Sequence, residues 1–263
     1  MSSVTVVGAR SEARSRIETG LGVRNPLVQY GDLTLRRMFM SDAPLLLSLF
    51  ADAVNFMGYG SGSPKTIEQV CAFVQSDADR FYYTGYIIEC AGVVLGRVAI
   101  GRGYFPEDDT IGAYEAAPLD EGLSGDGPAE LQIGDFLTED PAILAATKLM
   151  KAELYKNTIL MILAIADKFI RSGVLMNGQP VKRVTITVID PSKCDVSEDS
   201  ALNLLAKTSV ITEIFGAAVG FLPPKSIDKR NYSEEPRNVH SIESSDLPLV
   251  LARHLLIDED KAS

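Results

Sequence analysis

Residues 131–171, LQIGDFLTEDPAILAATKLMKAELYKNTILMILAIADKFIR, decide how this chain is built. Residues 131–137 are short and β-prone, and Gly134 stands where a strand bulges or splays. Residues 159–166 are apolar almost all round, and Phe169 and Ile170 extend the run. Eight such residues are too few for a membrane span, which takes about 20. A helix without a polar face belongs buried against a sheet. The stretch therefore predicts a strand, an acidic loop and a long core helix. A strand feeding a helix N-terminus is also where anionic cofactors usually bind.

Upstream, residues 82–90 (YYTGYIIEC) and 93–101 (VVLGRVAIG) flank Ala91-Gly92, the pattern of a tight antiparallel hairpin. Tyr82, Tyr83 and Tyr86 are then ordinary strand aromatics. Residues 32–38 (DLTLRRM) alternate like a strand. Ser41 and Asp42 supply helix-capping chemistry, and Pro44 suits the first turn of a helix over 45–56. Glycine and serine at 58–63 break it, and 65–80 form the next helix. Residues 1–31 read as an N-terminal extension. Residues 102–129 read as a long acidic insertion, rich in glycine and proline.

Downstream, 173–180 form a turn, 181–189 (VKRVTITVI) a strand and 200–218 a helix. Residues 247–257 (LPLVLARHLLI) read as a final strand carrying His254, and 258–263 as a solvated tail. This order predicts one α/β (α+β) domain over 32–257. Its mixed, mostly antiparallel sheet has about six to seven strands, with helices on both faces.

The chain has 263 residues, 46% of them hydrophobic, which suits one large domain with extensions. Its 25 basic and 35 acidic side chains give a formal charge of −10, which argues against nucleic acid or an anionic membrane as partner. Cys71, Cys90 and Cys194 are far apart, and no secretory signal pattern is present, as expected for a reducing cytoplasm. Asp195 and Glu198 would raise the Cys194 thiol pKa, against a nucleophilic role. Two histidines make a zinc site improbable.

Four stretches, taken in order, resemble the GNAT acyltransferase superfamily, in its branch acting on protein N-termini and small amines. They are LTLRRMFMSDAPLLLSLF (33–50), YIIECAGVVLGRVAIG (86–101), VKRVTITVIDPSK (181–193) and AAVGFLPP (217–224). The resemblance implies that the strand at 131–137 splays from the one at 181–189 and that acetyl-CoA enters the gap. Ile133, Gly134, Phe136 and Leu137 would line it, with backbone N–H groups of 134–136 polarising the thioester. Asp135 or Glu130 would take the amine's proton. Ser209 would protonate the leaving thiolate, and Asn203 would contact pantetheine.

The family's pyrophosphate loop, Arg/Gln-x-x-Gly-x-Gly/Ala, has no full counterpart, since no glycine lies between Gly134 and Gly173. The best register places residues 151–156 on it, with Leu154 and Lys156 at the small positions. Lys148, Lys151 and Lys156 would then replace backbone amides as phosphate partners. Glu139 and Asp140 would oppose a phosphate near the helix start.

Residues 103–147 hold eleven acids and neither lysine nor arginine. Bordering the acceptor entrance, they would steer a cationic amine, either a small molecule or a protein N-terminus; as a solvated loop they would merely face water. The resemblance thus implies an acetyl-CoA-dependent N-acetyltransferase. The competing expectation is a catalytically inactive GNAT-like protein whose acidic surface binds a basic protein partner. A homodimer through an exposed 247–257 edge strand is a further expectation.

Overall fold

The computed structural model describes residues 4–6, 28–30, 32–51, 65–79, 83–102, 130–138, 151–173, 175–176, 179–189, 192, 198–216, 225–227 and 237–260. The strands are β1 (Val4–Val6), β2 (Val28–Tyr30), β3 (Leu33–Arg37), β4 (Tyr83–Cys90), β5 (Val93–Arg102), β6 (Glu130–Thr138), β7 (Leu175–Met176), β8 (Gln179–Pro180), β9 (Arg183–Ile189), β10 (Lys225–Ile227) and β11 (Arg237–Glu243). The helices are α1 (Ala43–Ala51), α2 (Ile67–Asp79), α3 (Lys151–Arg171), α4 (Glu198–Phe215) and α5 (Leu247–Asp260).

Among the described residues, nine strands form one sheet in the order β1-β2-β3-β4-β5-β6-β9-β11-β10, and β7 and β8 pair separately. Every neighbouring pair in the large sheet is antiparallel except β6 and β9. The sheet is thus wider than the sequence suggests, partly because β1 and β2, within the expected extension, pair onto β3.

The β4–β5 hairpin lies where turn chemistry puts it. Cys90 pairs with Val93, and Ala91 and Gly92 both take positive φ, 48° and 83°. Such a two-residue turn matches the right-handed twist of its strands. Alternation along β4 sends Tyr86 and Ile88 into one apolar cluster and Ile87 into another. The first cluster includes buried residues of α3, α4 and α5; the second includes those of α1 and α2. Helices therefore cover both faces.

On the α1/α2 face, Phe50 and Phe73 meet edge to face at 5.5 Å. A 3-10 turn, Met40–Asp42, precedes α1. Asp42 accepts the Phe39 N–H at 2.8 Å and two bonds from Arg36, at 2.8 and 2.9 Å. The capping expected of Asp42 is thereby joined to β3.

On the other face α3 is buried nearly all round, from Leu154 to Phe169, as its missing polar face requires. Gly173, at φ 78°, donates its N–H to the Ile170 carbonyl at 3.0 Å and turns the chain out of the helix. No helix among the described residues is long and apolar enough to cross a membrane.

Residues 247–257 are not a strand but most of α5. Leu247, Val250, Leu251 and His254 are buried at helical spacing, and Pro248 occupies the first turn. The edge expected to support a dimer is therefore absent there. The outer described strands are β1 and β10. The strand that pairs with β9 is β11, which the sequence pattern did not announce. Residues 103–129 lie outside the described residues, as do 139–150.

Candidate active site

The parallel partners β6 and β9 share four rungs: Glu130 with Arg183, Leu131 with Val184, Gln132 with Thr185 and Ile133 with Ile186. Among the described residues no rung follows, although both strands continue. On its outer side β9 stays paired with β11 as far as Ile189, and β6 with β5 as far as Thr138. Each strand is held from outside while the two part in the middle, so a gap opens beyond Ile133 and Ile186.

The β5–β6 register breaks at this level. Ala99 pairs with Gly134 and Arg97 with Leu137, so Asp135 and Phe136 together oppose Val98. Two residues against one is a bulge, which bends the strand and increases its twist. Peptide groups on the β9 side of 134–138 have no strand partner among the described residues. Backbone groups fixed in this way are rigid hydrogen-bonding partners, suited to polarising a carbonyl that enters the gap.

Of the expected site residues, Ile133 is buried at the last rung, and Gly134, Asp135, Phe136 and Leu137 form the bulged segment beyond it. Glu130 lies elsewhere: it is 1% exposed at the first rung and ion-pairs with Arg183, at the closed end of the gap. Asn203 and Ser209 are both on α4, and Ser209 is exposed.

The loop expected at 151–156 is corrected, because these residues are the opening turns of α3 and Leu154 and Tyr155 are fully buried in the core. With Leu154 and Tyr155 turned into the core, the segment expected to lie open to phosphate is not a glycine-type loop. Lys151 belongs to α3, and Lys148 lies outside the described residues. Lys156 pairs at 3.3 Å with Glu213 of α4, and Lys207 of α4 sits 5.2 Å from the Tyr155 ring centre. The sequence reading missed Arg183, Lys207 and Glu213. Only the arginine beginning an apolar strand gave a local signal.

On the opposite face, Gly85, Ala99 and Gly134 form a row of small residues across three strands. Arg97, fully buried, fills the space above Gly85. Its guanidinium lies 4.7 Å over the Phe73 ring, and its Nε is 3.3 Å from the Met38 sulfur. A Cβ on Gly85 would come within 2.7 Å of Arg97 Nη2. No group of three or more His, Cys, Asp or Glu able to hold a metal ion occurs among the described residues.

The chain has the fold of solved acetyltransferases of the GNAT type. RimJ of Mycobacterium smegmatis, solved with a CoA disulfide, is similar over 87% of this chain and 89% of its own, at 13% identity and a TM-score of 0.51. Spermidine N-acetyltransferase from Vibrio cholerae, solved with CoA and spermine, is similar over 82% and 98%, at 10% identity and a TM-score of 0.50. At these identities the likeness is one of fold. No protein-family model matches the chain, and no curated protein matches it.

Proposed function

We propose that the chain is an acetyl-CoA-dependent N-acetyltransferase acting on an amine. The observation that carries this reading is the parting of β6 from β9 directly beside the Asp135–Phe136 bulge. The acyl thioester enters that gap, and backbone N–H groups of 134–136 polarise its carbonyl. The amine attacks the carbonyl carbon, a C–N bond forms, the C–S bond breaks, and CoA leaves as the thiol. Asp135 accepts the amine's proton, and Ser209 is the donor we assign to the departing sulfur. Positioning and fixed dipoles supply most of the acceleration.

The acceptor class we assign is cationic, either a small polyamine-like molecule or a protein N-terminus. Support comes from ten of the eleven acids of residues 103–147, a stretch without lysine or arginine. Glu130 is not part of that steering field, because Arg183 neutralises it.

The buried Leu154 and Tyr155 favour a second reading: a protein that keeps the fold without the nucleotide and binds a basic partner. Thermal melting separates the two. Acetyl-CoA at a hundred times its Kd stabilises a specific binder by about 2.7 kcal/mol. Asp135→Asn should keep that shift and lose transfer. Replacing Lys148, Lys151 and Lys156 together with alanine should abolish it. No shift and no calorimetric heat at millimolar acetyl-CoA would exclude the enzyme reading and leave the binding protein.

A further inference from the structure

His240 of β11 is 2% exposed, and its Nε2 has no hydrogen-bond partner among the described residues. Its ring meets Phe215 at 6.2 Å and 73°, edge to face. Phe215 is the last residue of α4, so the imidazole is the surface on which that helix ends. In register His240 stands opposite Ile186, which stands opposite Ile133. That row is the last one before the sheet opens.

The described surroundings on the α4 and β9 sides are apolar next to the ring. From α4, Ile211, Ile214 and Phe215 are buried; Glu213 is exposed and bound to Lys156, and Lys207 rests on Tyr155. From β9, Val184, Ile186 and Val188 share the face, while Arg183 is occupied by Glu130. On β11 itself Ile242 is buried and Glu243 exposed. None of these charged groups is bonded to His240.

We propose that His240 is a pH-sensitive latch on α4: neutral, it seats the end of the helix on β11, and protonated, it releases it. The consequence for ligand binding rests on the acetyltransferase reading, in which α4 carries Ser209. The release of α4 does not rest on it. Burial strips the ring of water, which disfavours the imidazolium and lowers the pKa of His240 from 6.5 to about 4. A released ring would recover its ordinary value. Proton linkage then makes opening about thirtyfold more favourable at pH 5 than at pH 8.

Hydrogen exchange read by mass spectrometry, corrected for the intrinsic pH dependence, tests this on the full chain. In the wild type, α4 amides should lose about thirtyfold protection from pH 8 to pH 5, while the β4–β5 hairpin keeps its own. His240→Phe, which keeps an aromatic ring against Phe215, should show no such loss. A flat wild-type profile, or an equal loss in the variant, overturns the latch. Should His240→Phe fail to fold, histidine NMR on the wild type decides. A His240 titrating near 6.5 in the folded protein overturns the latch, and one titrating well below it, with α4 signals moving in step, supports it. Acetyl-CoA binding lost at pH 5 in the wild type but kept in His240→Phe adds the functional half. No binding at either pH counts against the acetyltransferase reading alone, and the exchange result stands by itself.

Discussion

Glu130 and Arg183 close an ion pair across the first rung of the parallel β6–β9 pair, with the carboxylate 1% exposed and the guanidinium side chain 25% exposed. Three rungs later the strands part. The pair therefore pins one end of the pairing whose other end is open. Removing a single partner from a buried pair leaves a charge without compensation. Glu130→Ala should lower stability by about 3 kcal/mol in urea titration, and Glu130→Ala with Arg183→Met should recover part of it. A loss below about 0.5 kcal/mol would mean that the pair does not hold the strands.

Asp42 ties acid stability to the start of α1. Burial pushes its carboxyl up, but the Arg36 side-chain bonds and the Phe39 N–H outweigh that and hold it below the ordinary carboxylate value. A carboxyl depressed in the folded state stabilises above its unfolded pKa, and the gain fades as pH falls through the folded one. Asp42→Asn should therefore cost about 1 kcal/mol at pH 7 and progressively less below pH ~4. A cost that stays constant with pH would contradict the linkage.

Ala91 sits at φ 48°, where a Cβ crowds the following carbonyl. Ala91→Asn creates the Asn-Gly pair that such hairpins favour. Stability should rise by about 0.5–1 kcal/mol, a Tm gain of about 1–4 °C for a domain of this size. Differential scanning calorimetry that showed a decrease would refute the turn geometry.

Lys156 and Glu213 offer a test directed at phosphate binding. Their 3.3 Å pair is partly exposed, with side chains 22% and 57% accessible, so breaking it should change stability by less than about 1 kcal/mol. If Lys156 contributes to phosphate binding, Glu213 competes for it. Glu213→Gln should then tighten acetyl-CoA binding a few-fold by calorimetry, and Lys156→Ala should weaken it. Equal affinity in both variants would take Lys156 out of the site.

Features written in adjacent residues were legible before the structure. The β4–β5 hairpin follows from alternation around a two-residue turn, and α3 from its apolar run. Helix α5 was misread because LPLVLARHLLI is apolar enough to satisfy either period, and burial of Leu247, Val250, Leu251 and His254 decides it. Strand β11 escaped notice because RNVHSIE carries only two aliphatic side chains, Val239 and Ile242. The gap was expected only through resemblance. The two-against-one register at Val98 is a property of paired strands, and neither strand contains it alone. The Glu130–Arg183 contact joins positions that no local window spans.

Among the described residues, the sheet's two antiparallel blocks, β1 to β6 and β9 with β11 and β10, are joined by four rungs. Each rung joins residues 53 apart in sequence, within the 48–60 that separate the β9–β11 partners, so loop length does not set the seam apart from the blocks. Among the described residues, the seam that opens to make the site is also the one place where the backbone of one block bonds to that of the other. Loosening it would part the two half-sheets and dismantle the site in the same step.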